Sequence, residues 1–339
     1  MQPKEKIVIA QIGLGNWGKN LLLNFSALSE CYLKYGCDLF GPSLEKYKLE
    51  YPQTIFTPDL AVVLGDNEVK AVVIATSAPT HYAVAKQCLE NGKHVFIEKP
   101  ITLSVAEASE LLLVAKRANK KIMVGHLLLY HPAITKLKKL ITAGELGMIQ
   151  YIYTQRLNLG TIRNAENALW SLAPHDISVV LHLLGRSPQS VSALGAAFLQ
   201  PEIEDLTFVS IRFDDGAIGH VHVSWLDPTK TRRTVIVGDK KMAIFDELLA
   251  KNNLVLVDKG VDSKQDPLTK AKSFTLRNGP EQVIEYEQKE PLKIECQHFI
   301  DCIKNEKEPL SSGENGLAVL KVLAAAERSL KNGGSNEIL

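Results

Sequence analysis

The stretch Ile7-Val8-Ile9-Ala10-Gln11-Ile12-Gly13-Leu14-Gly15-Asn16-Trp17-Gly18 governs how the rest of the chain is read. A short apolar run leads straight into a glycine-rich turn, and the turn leads into the apolar segment Leu21–Leu28. That order predicts a strand, a tight turn and a helix. Each glycine then has its own task. Gly13 permits the turn, Gly15 lets a pyrophosphate approach the backbone, and Gly18 lets helix and strand pack closely. The helix start offers unpaired N–H groups and partial positive charge to phosphates. Asn16 and Trp17 lie within the same turn and count with the glycines as dinucleotide-binding residues.

Asp38 closes the next strand-like run, twenty residues after Gly18. A carboxylate there can accept hydrogen bonds from the adenosine ribose hydroxyls and would repel a 2′-phosphate. Leu39 and Phe40 offer no cation in exchange, which favours NAD over NADP.

Further out, Tyr32–Cys37, Ala71–Ala75, Val95–Ile97 and Ile122–Val124 are short, continuously apolar runs separated by segments with helical spacing. Strands alternating with helices predict a doubly wound parallel sheet, buried on both faces, over residues 1–124. Two segments follow strands of this sheet: Thr76-Ser77-Ala78-Pro79-Thr80-His81 and Glu98-Lys99-Pro100. Thr76, His81, Glu98 and Lys99 are therefore candidates to touch the cofactor, though for His81 capping or packing is the leading reading. A lysine at the end of a buried strand, held before a proline, is poorly placed for plain solvation.

The texture changes after Gly125, and residues 125–339 form the second expected domain. A helix (Pro132–Ala143), a strand (Ile149–Leu157), a polar loop and a helix (His175–Leu184, closed by Gly185) come first. Strands with turns at 214–216, 238–240 and 278–280 then predict a large, mostly antiparallel sheet, followed by helices at Leu292–Lys304 and Glu314–Lys331. The basic run Lys230, Arg232, Arg233, Lys240, Lys241 reads as a solvated sheet edge, with a phosphate-facing patch as the alternative.

Length and composition are consistent with this division. The 339 residues suggest about two domains. Lys plus Arg (39) nearly cancels Asp plus Glu (38), which argues against binding to nucleic acid by bulk charge. Five cysteines form neither a CxxC pair nor an even framework and read as reduced, packed thiols. No apolar run approaches the ~18 residues of a membrane span, and no signal-peptide core stands at the start. The expectation is a cytoplasmic protein without membrane partners. His220 and His222 alternate on a strand without a third ligand, so no metal site is expected.

These residues resemble the glucose-fructose oxidoreductase, inositol 2-dehydrogenase and rhizopine-catabolism family (Gfo/Idh/MocA) nearly from end to end. The likeness runs through Gly13–Gly18, Ala75-Thr76 with His81, Gly92-Lys93-His94 leading to Glu98-Lys99-Pro100, and Val124-Gly125-His126. It continues through Pro132-Ala133, the Gly144–Gly147 turn, His175, Phe299 and Ser329. The resemblance implies a Rossmann domain and an α/β domain on an open sheet that often forms the interface of a homo-oligomer, a dimer or tetramer. It implies NAD-dependent oxidation of a sugar or cyclitol secondary alcohol, with Lys99 and His175 as the catalytic pair. Two positions depart from the family pattern: Ser171 and Ser178 stand where aspartates are usual. The stretch from Arg156-Leu157-Asn158-Leu159-Gly160 to Ala173-Pro174-His175 is similar to dehydrogenases of nucleotide-linked sugars, such as those oxidising C3 of a UDP-linked N-acetylglucosaminuronate.

Alcohol oxidation needs a base within hydrogen-bond reach of the hydroxyl. Reading Pro174 as a first-turn residue puts His175 at the positive end of its helix, where the neutral ring is favoured. Lys99 would stabilise the developing alkoxide. Arg156, Asn158, Arg163 and Asn164 flank the polar loop and are candidate contacts for a substrate anion, and Tyr130 is a candidate pocket residue. The alternatives are a free-sugar or inositol dehydrogenase, and a non-catalytic NAD sensor.

Overall fold

The computed structural model describes residues 6–339. In its first part strands and helices alternate: β1 (Ile7–Ile12), α1 (Gly18–Ser26), β2 (Cys31–Cys37), α2 (Gly41–Glu50), β3 (Ile55–Thr57), α3 (Leu60–Gly65), β4 (Ala71–Ile74), α4 (Ala78–Glu90), β5 (His94–Glu98), α5 (Val105–Ala118) and β6 (Ile122–Gly125). The strands pair in parallel in the order β3-β2-β1-β4-β5-β6. The order reverses at β1, whose neighbours are β2 and β4, so a crevice opens beyond the carboxyl ends of β1 and β4. β4 and most of β5 are buried on both faces, which explains their unbroken apolar sequence. Sequence reading passed over β3, because Ile55-Phe56-Thr57 is too short to carry a period.

A 3₁₀ turn (Leu127–Tyr130) leads to α6 (Pro132–Thr142), β7 (Ile149–Leu157), α7 (Ala168–Leu184), β8 (Pro188–Ala196), β9 (Leu206–Phe213), β10 (Ile218–Ser224), β11 (Thr231–Gly238), β12 (Met242–Asp246), β13 (Leu254–Gln265) and β14 (Lys272–Val283). The chain closes with α8 (Pro291–Lys304), α9 (Gly313–Lys331) and β15 (Glu337–Ile338). The second sheet has nine strands in the order β14-β13-β12-β11-β7-β10-β9-β8-β15. β7 and β10 run parallel and the other neighbouring pairs antiparallel. Helix α7 packs on β7, β9 and β10.

The chain forms two compact units. One holds the residues up to Tyr130 together with Lys289–Lys321, and the other holds His131–Gln288 with Val322–Leu339. The second domain expected over 125–339 is thus interrupted, because α8 packs on α1 in the first unit. There Phe299 meets Phe25 and Phe96 edge to face, a burial that a linear reading cannot assign.

Three local expectations are corrected. Asn278-Gly279-Pro280 is no turn but lies within β14, where the register against β13 shifts between Val257 and Lys259. The hairpin turns instead at Asp266, whose Oδ1 accepts the amides of Leu268 and Thr269. Arg232 and Arg233 of the basic run lie on no sheet edge either, since β11 lies between β7 and β12 and both are half-buried, whereas Lys230 and Lys240 are exposed outside the strands. Finally, α7 begins at Ala168 rather than at Pro174. Asn167 caps it by accepting the Trp170 amide at 3.1 Å, and Pro174 lies inside the helix.

Candidate active site

The glycine loop occupies the crevice where the first sheet reverses. Gly13 follows β1 with φ +91°, and a Cβ there would meet the Ala75 carbonyl at 2.6 Å. Gly18 opens α1, and a Cβ on it would stand 2.3 Å from the Gly13 oxygen. Gly15 differs, having no atom within 4 Å of the place its Cβ would take. Two glycines therefore serve the turn itself, and the third faces open space beside the exposed Asn16 and Trp17. This cradle fits a dinucleotide pyrophosphate at the start of α1.

Two polar side chains hold the loop. Asp38 accepts the Leu14 amide at 2.6 Å through Oδ2 and the Phe40 amide at 2.8 Å through Oδ1. It is half-buried, at the end of β2, where ribose hydroxyls are usually bound. Gln11 is fully buried, and its Nε2 donates to the carbonyls of Gly13 (3.0 Å) and Gly18 (2.7 Å). Sequence reading missed Gln11, although a lone amide in an otherwise apolar strand was the signal.

Lys99 follows β5 and is joined to Pro100 by a cis peptide. Beside it, Trp17 Nε1 donates to Glu98 Oε1 at 2.5 Å. His81 is buried, with its ring nitrogens at 2.8 Å from the Pro100 carbonyl and 3.1 Å from that of Thr76. Burial lowers its pKa, against the pull of the two carbonyls and with help from Lys99. A ring so enclosed braces the segment after β4 against the Lys99-Pro100 turn. Thr76 is half-buried, and its Oγ1 accepts from Thr80. His126 is also buried near Lys99, and burial, aided by the lysine charge, lowers it to about 3.

In the second unit His175 is half-buried, deep inside the 17-residue α7. The expectation that the positive helix end keeps its ring neutral therefore fails, since that effect fades within the first turn. Arg156 on β7 donates to the neighbouring Asp176 at 2.5 Å and lies 3.6 Å from Glu247. Burial lowers the Arg156 pKa, but Asp176 and Glu247 outweigh it and raise it overall. Ser178 Oγ donates to the His175 carbonyl at 2.7 Å, and Ser171 is buried.

The remaining candidates divide by environment. Tyr130 is buried, 4% exposed, and its hydroxyl lies 3.0 Å from Ser311 Oγ. The apolar stretch around it carried it into the core. Arg156 is taken up by its carboxylates. Asn158 Oδ1 accepts from Arg232 at 3.2 Å, while Arg163 and Asn164 are exposed, Arg163 pairing with Glu166 at 2.6 Å. Arg232 also donates to the carbonyls of Leu157 and Thr231. All five cysteines are buried and unbridged. Among the described residues no helix is long and apolar enough to cross a membrane, and no cluster of three or more His, Cys, Asp or Glu could hold a metal.

Comparison with known proteins agrees with this architecture. The description "Oxidoreductase family, NAD-binding Rossmann fold" (GFO_IDH_MocA) matches residues 7–126, and the GFO/IDH/MocA C-terminal domain matches residues 134–244. The chain is 29% identical to scyllo-inositol 2-dehydrogenase (NAD(+)) of Bacillus subtilis (strain 168), over 80% of this chain and 78% of that protein. It is 27% identical to UDP-N-acetylglucosamine 3-dehydrogenase of Acidithiobacillus ferrooxidans, over 76% and 77% of the two chains. The solved structure of that 3-dehydrogenase, GnnA, superposes with a TM-score of 0.82 at 25% identity, covering 96% of this chain and 98% of the other.

Proposed function

The chain belongs to the Gfo/Idh/MocA family of NAD-binding oxidoreductases, and from that premise we propose that it oxidises a secondary alcohol of a nucleotide-linked sugar, such as C3 of a UDP-N-acetyl-hexosaminuronate. The observation that carries the proposal is the likeness to GnnA, which spans nearly the whole of both chains.

In this reading the glycine loop and Asp38 hold NAD, by its pyrophosphate and ribose. The cofactor supplies a hydride acceptor. His175 takes the hydroxyl proton, and the Lys99 ammonium stabilises the oxygen as its charge grows. In reverse, Lys99 polarises the ketone and His175 returns the proton. Arg163 and Asn164, on the exposed loop before α7, meet the diphosphate or carboxylate of the substrate. The uncovered face of the nine-stranded sheet, with Tyr151 and Phe208 exposed, joins copies of the chain.

One observation favours a second reading, an inositol or free-sugar dehydrogenase. The Arg156 charge is spent on Asp176 and Glu247, leaving fewer cations for a substrate anion. NADH formation at 340 nm, with UDP-N-acetylglucosaminuronate, UDP-N-acetylglucosamine, scyllo-inositol and myo-inositol in parallel, separates the two. Turnover of an inositol with none of either nucleotide sugar would defeat the first reading.

A further inference from the structure

Glu98 is gripped from two sides. Trp17, within the dinucleotide loop, donates its indole N–H to Oε1 at 2.5 Å, and the Lys99 amide donates to Oε2 at 3.2 Å. Gly125 leaves the carboxylate its room: a Cβ there would stand 2.9 Å from Oε1. From α8 a second acid, Glu295, faces it. Glu295 is 1% exposed, and neither of its carboxylate oxygens has a hydrogen-bond partner. An ionised carboxylate is not sustained in such surroundings, so Glu295 is a neutral acid. Burial first, and then the Glu98 charge, push its pKa well up.

We propose that Glu98 is a positioning residue that ties the dinucleotide loop to Lys99 through Trp17, and that protonating Glu98 loosens the loop and weakens NAD binding.

The indole of Trp17 is 41% exposed, so its own packing holds it weakly. The bond to Glu98 fixes it, and a charged acceptor makes that bond roughly twice as strong as a neutral one. Burial raises the Glu98 carboxyl to about 7, against the opposing pull of the Trp17 N–H and Lys99. The titratable groups facing Glu98 are Lys99 on its own strand end and Glu295 and Cys296 on α8. Cys296 stays a thiol, since burial raises it further. Beyond them, Tyr130 lies beside Glu295 and His126 beside Lys99; Tyr130 is raised and His126 lowered by burial, so neither changes charge near neutrality. His81, which also faces Lys99, is lowered by burial, so among these groups Glu98 is the one brought close to neutrality.

The inference needs only NAD binding and not the proposed substrate, so a failure of the nucleotide-sugar reading leaves it standing. The experiment is calorimetric titration of NAD into the full-length protein at several pH values. The native Kd is expected to rise about three- to tenfold between about pH 8 and about pH 6. Trp17→Phe is expected to give the weaker value throughout, and Glu98→Gln a flat profile. Glu295→Gln exchanges one neutral group for another and keeps the native profile. Intrinsic fluorescence gives a direct readout: a titration with a midpoint of about 7, absent from both Trp17→Phe and Glu98→Gln. A native pH profile retained in Trp17→Phe would overturn the proposal, as would a flat native profile. If Glu98→Gln keeps the native pH dependence, another group carries the titration and the proposal fails. Should Glu98→Gln not fold, the Trp17→Phe profile and the fluorescence titration decide alone.

Discussion

Arg156 on β7 and Asp176 on α7 form a buried ion pair at 2.5 Å, and Asp176 is the immediate neighbour of His175. The pair thus fastens the helix to the sheet at the level of the histidine. Removing one partner leaves the other charge buried, at a cost of roughly 3–5 kcal/mol. Asp176→Ala is expected to lose about that much stability in urea unfolding, and Arg156→Met with Asp176→Leu to recover a large part of it. A loss below about 1 kcal/mol in the single variant would mean that the pair contributes no more than an exposed one.

The glycines of the dinucleotide loop separate folding from binding. At Gly18 a methyl group would overlap the Gly13 oxygen, so Gly18→Ala should cost about 1–3 kcal/mol in stability. At Gly15 there is space in the protein, and in the proposed binding mode a pyrophosphate takes it up. Gly15→Ala should melt like the native protein and bind NAD at least about tenfold more weakly, as calorimetry would show.

Lys99→Ala and His175→Ala should each lose turnover by about 10²–10⁴-fold while still binding NAD. Loss of NAD affinity together with activity would point to a structural role. Undiminished turnover would remove the residue from the catalytic pair.

His126 makes stability depend on pH. Its folded pKa, about 3, lies below the 6.5 of an unperturbed histidine, so the unfolded chain binds more protons between those values. Stability from this group is intact above 6.5 and falls as pH drops, by up to about 1.4 kcal/mol per pH unit. Glu98 acts in the opposite sense: raised from 4.5 to about 7, it stabilises at low pH and loses that contribution as pH rises through 7. Melting curves should show a shallower acid loss in His126→Gln and a steeper one in Glu98→Gln.

The first sheet was legible because its strands are apolar on both faces and its loop glycines stand at fixed spacing after a strand. The second sheet was legible from its tight turns. What escaped had non-local causes. Pro174 looked like a helix start because proline is usual there, and only the Asn167 cap further upstream shows where α7 begins. Asn278-Gly279-Pro280 carries turn residues but takes part in a register shift against Val257 and Lys259. Gln11 gave only the signal of a lone amide in an apolar strand, and Glu295 only a polar letter whose meaning depends on Glu98, distant in sequence. The burial of Tyr130 depends on Ser311, which meets its hydroxyl from far along the chain.

The bracing of the glycine loop by Gln11 also has a kinetic side. A loop whose two flanking carbonyls are already tied has surrendered its conformational entropy during folding, before any dinucleotide arrives. Capture of the cofactor then requires little rearrangement of that backbone, and differences in residence time among loop variants would appear chiefly as differences in departure rate.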